Sequence, residues 1–106
     1  MCLYFLLVNY IKKIIMNPVV KYFAEFLGTF VFLSVILTVG EPIPVAVALL
    51  ASIYLVGNIS GAHVNPVVSV SMYLNDKLSS SDLGGFVVAQ LLGGVAAVYF
   101  AKMVKK

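Results

Sequence analysis

A polar run in the middle of an apolar chain constrains this sequence more than any other feature. Ile59-Ser60-Gly61-Ala62-His63-Val64-Asn65-Pro66-Val67-Val68-Ser69-Val70 carries Gly, Ser, His, Asn and Pro between segments apolar enough for a membrane. An unpaired backbone group in hydrocarbon is costly, so irregular chain at that depth survives only where protein buries it or where it lines a wet cavity. Asn65 followed by Pro66 supplies a helix start. The Asn side chain can cap, and a Pro in the first turn gives up no needed donor. The run therefore predicts a re-entrant loop opening a short helix from about Pro66 to Asn75, its positive end aimed into the membrane. Ten residues at a 1.5 Å rise make roughly 15 Å, about half of a 30 Å hydrocarbon core. Such an element cannot cross. It can line a pore.

The rest of the chain fixes the solvent. Of 106 residues, 62% are hydrophobic and 10% charged, with a mean hydropathy of +1.09; a soluble domain carries about 25% charged residues. The expected fold class is an all-α membrane protein with three transmembrane helices, the re-entrant pore loop and its half-helix. The first span runs from about Val19 to Val39 and stops at Gly40-Glu41-Pro42, and the second runs from about Ile43 to Asn58. The third runs from about Leu83 to Lys102, entered through Ser79-Ser80-Ser81-Asp82 with Ser81 or Asp82 as the cap. Gly85, Ala89, Gly93, Ala97 and Ala101 place a small residue at every fourth position of that span, a stripe along which membrane helices approach closely. Gly28 reads the same way in the first span, and Gly57 and Gly61 where the second gives way to the loop. Asn17-Pro18-Val19-Val20 echoes Asn65-Pro66-Val67-Val68 but lacks the polar approach, and reads as chance.

Several function classes drop out. Seven Lys and no Arg give a net charge of +3. They lie at the ends of apolar runs, as interfacial anchors do, and no basic face with interleaved aromatics marks a nucleic-acid partner. The one cysteine, Cys2, excludes a disulfide framework within the chain, and no residues have metal-ligand spacing. No cofactor and no catalytic constellation is expected, so the chain does not read as an enzyme. The apolar run from Leu3 to Ile11 is too short for the roughly 20 residues a span needs. It also lacks the basic start and cleavage site of a signal peptide. Two readings of residues 1–15 stand: a mis-called upstream extension, with Met16 as the start, or an interfacial helix with Lys12 and Lys13 in the headgroups. Residues 16–106 form the transmembrane domain.

Asn65 is the first candidate for pore chemistry. Its amide can donate from a helix N-terminus, where the dipole places about half a positive charge and cations and protons meet a barrier. The plainer alternative is a helix cap in a buried turn. Gly61, Ala62, His63 and Val64 form the approach, where small side chains and an extended backbone would turn carbonyls toward a lumen. His63, the one histidine, reads as a structural hydrogen-bonder. Glu25 is an acid inside the first span and needs a partner there: it either braces the loop or pairs with Lys21 one turn away. Gln90 would satisfy buried polar groups.

The run SGAHVNPVVSV resembles the first pore loop of the aquaporin and glycerol-facilitator (major intrinsic protein) family, whose signature is an SGAH run leading into Asn-Pro-Ala. Ala24-Glu25-Phe26-Leu27-Gly28-Thr29-Phe30 resembles the start of that family's first helix, and Ala89-Gln90-Leu91-Leu92-Gly93 resembles its third. The likeness runs from about Met16 to the end, and Val67 departs from it where the family has Ala. The resemblance implies that the carbonyls from Gly61 to Val64 form a ladder of acceptors for water or polyols, and that Glu25 accepts from backbone amides of the loop. It places Val45 where a second-helix side chain contributes to the constriction. Val68 falls where the second half of the family carries the constriction Arg. Pore-lining Asn65, Pro66, Gly61, Ala62, His63, Val64, Val45 and Val68, with Glu25 and Gln90 bracing, are thus the implied site.

The family fold is two inverted repeats, and this chain supplies one. The resemblance implies a passive channel for water or small neutral, glycerol-like solutes, embedded in the lipid bilayer and assembled from at least two half-size chains. The second half is either an antiparallel copy in a homo-oligomer or a separate chain. The alternative is a non-conducting truncated subunit or gene fragment that associates with another membrane protein. A small lysis-type membrane protein is a further class, though it has no need of the loop. In the family topology Lys12, Lys13, Lys21 and Lys77 lie on one side and Lys102, Lys105 and Lys106 on the other. Lysine asymmetry sets orientation, so so little bias predicts insertion both ways.

Overall fold

The computed structural model describes residues 2–15 and 17–105; Met16, the candidate start, and Lys106, counted in the charge balance, lie outside the described residues. Five helices follow one another: α1 Cys2–Ile15, α2 Pro18–Thr38, α3 Pro42–Ser60, α4 Pro66–Leu74 and α5 Ser80–Val104. Helices α2, α3 and α5 are long and apolar enough to cross a membrane. At nine residues, α4 rises only about 14 Å.

The starts of these helices follow from local chemistry. Asn17 Oδ1 accepts from the Val19 amide at 2.9 Å, and Asn65 Oδ1 accepts from the Val67 amide at 2.8 Å. The Asn-Pro-Val-Val echo is therefore not idle, because each copy caps a helix in the same way. Helix α5 is capped by Ser79 and not by Ser81 or Asp82: Ser79 Oγ accepts from the Asp82 amide at 3.1 Å. Asp82 instead sits in the first turn, where the helix end is positive. Its carboxylate accepts from the Tyr22 hydroxyl at 2.9 Å and lies 3.7 Å from Lys21 Nζ. Gly61 ends α3 with φ 90°, and its amide donates to the Gly57 carbonyl at 2.9 Å. That left-handed stop is one only glycine takes without cost.

Helix α2 is the centre of the bundle, with α3 on one flank and α5 on the other. Contacts at Glu25–Ser60 and Gly28–Ser52 run α3 antiparallel to α2. Tyr22–Asp82 near one end and the Phe30–Phe100 ring pair farther along, 5.6 Å between centroids, run α5 parallel to it. The small-residue stripe of α5 is this seam. A Cβ on Gly93 would stand 2.6 Å from the Phe26 carbonyl oxygen, and one on Gly85 would overlap the Tyr22 ring. Ala89, Ala97 and Ala101 are buried along the same line. The outer faces stay apolar and exposed, as at Leu50, Tyr54, Val88 and Tyr99. Three spanning helices with outward apolar faces define an integral, multi-pass, all-α membrane protein.

Candidate pore loop and half-helix

Glu25 is completely buried, and its carboxylate gathers the chain around it. Oε2 accepts from Ser60 Oγ at 2.5 Å and from the His63 amide at 3.0 Å. Oε1 accepts from the Val64 amide at 2.8 Å and from Gln90 Nε2 at 2.9 Å. One side chain of α2 thus ties the end of α3, two loop amides and the middle of α5. Lys21 is engaged with Asp82.

The loop needs such a tie because it is strained. Gly61, Ala62 and Val64 all have positive φ, at 90°, 51° and 45°, so the approach is kinked and not the extended backbone the sequence suggests. Positive φ in a β-branched residue is a genuine outlier, and such conformations persist only where the surroundings over-determine them. The two amides that lead into the kink at Val64, those of His63 and Val64 itself, both end on Glu25. In a trans peptide the N–H and C=O point in opposite directions, and no cis bond occurs among the described residues. The Ala62 and His63 carbonyls therefore face away from Glu25.

A second chain of hydrogen bonds leads from Glu25 into α4. Gln90 Nε2 also donates to Ser69 Oγ at 2.9 Å, and Ser69 Oγ lies 2.9 Å from His63 Nδ1. Ser69 Oγ thus joins the imidazole to the network that runs through Gln90 to Glu25. The His63 ring is buried against Phe86, 5.0 Å between centroids. Ser69 and Ser60 escape the sequence reading as bracing residues. The signal for Ser69 is its place one helical turn beyond Asn65, on the side of α4 turned to α5.

The predicted site residues separate into groups. Asn65, Pro66 and Val64 line a groove of about 470 Å³ together with Gln90, Thr29 and Leu33. Asn65 is exposed at its start. Behind the wall, Thr29 Oγ1 and Gln90 Oε1 are buried without a hydrogen-bond partner. The side chains of Ala62, His63 and Val64 are buried, so backbone is what these residues can offer a lumen. Gly61 is exposed, and Val68 is exposed on α4. Val45 is not brought to the loop: it sits in the first turn of α3, fifteen residues before Ser60, a rise of about 22 Å.

A half-helix that starts inside a bundle of apolar spans and is fed by a kinked loop braced from within defines a membrane protein with a re-entrant element. The family profile described as Major intrinsic protein matches residues 13–106, and the chain belongs to that family. The glycerol uptake facilitator protein-like 6 of Lactiplantibacillus plantarum is 38% identical over 86 residues, covering 73% of this chain and 40% of that protein. Aquaporin NIP3-1 of Arabidopsis thaliana is 34% identical over 98 residues, covering 79% of this chain and 30% of its own. Aquaporin AqpM of Methanothermobacter thermautotrophicus is 42% identical over 52 residues, covering 49% and 21%. The chain spans two fifths or less of the length of these relatives. No solved structure gives a significant match.

Proposed function

We propose that this chain is one half of a passive membrane channel for water or small neutral solutes such as glycerol, completed by a second half that meets it at Asn65. One observation carries the reading: Asn65 is exposed at the head of a helix too short to cross. A polar helix head left in hydrocarbon is expensive, whereas a lumen shared with a second half would satisfy it. The Asn65 amide and the dipole of α4 would orient water oxygens inward and oppose cations and protons. The Ala62 and His63 carbonyls supply acceptors on the approach. With Val68 on α4 and no Arg in the chain, the lining is less polar than an Arg-bearing constriction. That favours small uncharged solutes, in keeping with the glycerol named in one relative.

An inverted second copy is the simplest second half, following the logic by which inverted repeats form sites at the membrane midplane. The groove beyond Asn65, walled by Thr29, Leu33 and Gln90, offers a seat for the partner's half-helix. Conduction of this kind breaks no bond and needs no cofactor. Stopped-flow shrinkage of vesicles holding only the purified chain tests the reading, with sucrose and then glycerol as osmolyte. Rapid shrinkage is expected for the native chain. Asn65→Asp, which puts negative charge at the helix head in place of the amide donors, is expected to lose most of the flux while still inserting. Shrinkage no faster than in protein-free vesicles would make the chain a non-conducting subunit. Unchanged flux in Asn65→Asp would remove Asn65 from the pore.

A further inference from the structure

Helix α1 is the one element that the bundle does not use. It touches the rest of the molecule chiefly at α2, and there only lightly. Its fourteen residues rise about 21 Å, short of a 30 Å hydrocarbon core. At about 100° per residue, Asn9, Lys12 and Lys13 fall in one sector, which they share with Phe5, and Leu3, Leu7, Tyr10, Ile11 and Ile14 fall in the opposite one. That apolar sector is uncovered: Leu3 is 79% exposed and Tyr10 63%. A contiguous apolar face of this kind marks an interaction surface. The family match begins only at residue 13, so most of α1 lies outside what the family shares.

We propose that α1 lies in the plane of the membrane surface as an anchor, its apolar sector in the acyl boundary and its lysines on anionic lipid headgroups. Three observations choose the bilayer over a second copy. Asn17 caps α2 while its own amide donates to the Ile14 carbonyl at 3.1 Å. Helix α1 is thus a separate helix that ends just before the capped start of the first span. Lys12 and Lys13 have no acidic partner among the described residues, whereas Lys21 is already paired with Asp82. A second copy would bring the same unpaired lysines, whereas an anionic surface complements them. Finally, Tyr4, Phe5 and Tyr10 are exposed aromatics of the kind that settle at the membrane–water boundary.

Depth-resolved fluorescence on the full chain tests the anchor and needs no solute flux. In a Cys2→Ser background, Leu7→Cys or Asn9→Cys is labelled with an environment-sensitive dye and reconstituted in phosphatidylcholine vesicles with or without phosphatidylserine. The Leu7 label is expected to be quenched by headgroup-depth spin-labelled lipid and shielded from aqueous iodide, and the Asn9 label to show the reverse. Lys12→Gln with Lys13→Gln should weaken surface partitioning only in the anionic vesicles, by about five-fold per lysine at about 1 kcal/mol each. High salt on the unmutated lysines should act in the same direction. Equal iodide access at both positions would put α1 in water, and strongest quenching from the bilayer centre would make it spanning. Protection that rises with protein-to-lipid ratio would assign its face to a second copy. Protection indifferent to lysines, salt and lipid charge would remove the headgroup contact. Each of these four results overturns the proposal.

Discussion

Glu25 and Ser69 show how two side chains set the shape of a loop that carries no regular structure. The carboxylate accepts four hydrogen bonds, and two of them fix the amides of His63 and of a strained Val64. Glu25→Gln keeps the shape but turns an NH₂ toward existing donors on one side. It is expected to destabilise the protein by about 3 kcal/mol or more, since hydrogen bonds to a charged group contribute roughly 1.5–3 kcal/mol each. Thermal unfolding in detergent followed by circular dichroism would measure this; a melting curve unmoved by the change would show that the loop holds its strain without Glu25. Ser69→Ala leaves both His63 Nδ1 and one Gln90 hydrogen without a partner, and is expected to cost about 1–3 kcal/mol in the same assay. The need of Glu25 for partners is legible in the sequence, because an acid in an apolar span must be satisfied. The role of Ser69 is not, because serine is common in membrane helices and its Gln90 partner arrives from another helix.

At the scale of elements, packing between α2 and α5 depends on which glycines face backbone and which face side chains. A Cβ on Gly93 meets the Phe26 carbonyl and the Thr29 Cβ, neither of which can swing away. Gly93→Ala is therefore expected to push the helices apart and cost about 1–3 kcal/mol. Gly28→Ala, on the side of α2 turned to α3, meets side-chain carbons of Val64, Val56 and Ser52, and Gly84→Ala meets nothing within 4 Å. The expected order of melting temperatures is Gly84→Ala highest, Gly28→Ala next and Gly93→Ala lowest; a Gly93→Ala protein as stable as Gly84→Ala would misplace the seam. The seam can be read from the regular spacing of small residues on α5, and the three spans from length and apolarity. The cap of α5 cannot be read, because four successive polar residues could each serve. Tyr22 makes the choice from 60 positions away by drawing Asp82 into the first turn. The kinked approach to Asn65 is likewise hidden, because only the tertiary tie to Glu25 makes positive φ tolerable at Val64.

For the whole molecule, the Tyr22–Asp82 contact fixes which charges share a membrane face. It joins the starts of α2 and α5, so Lys12, Lys13, Lys21 and Lys77 belong to one end and Lys102 and Lys105 to the other. Four lysines against two among the described residues, with Lys106 adding to the second side in the sequence, is a weak bias for a rule that depends on asymmetry. A chain so balanced is expected to insert in both orientations, which is what an inverted pair meeting at Asn65 requires. Fusing to the C-terminus one reporter active only in the cytoplasm, and separately one active only outside it, measures this directly. The pairing of inverted copies predicts comparable signal from both fusions. Signal from one fusion alone would contradict it and leave the second half of the pore to a different chain.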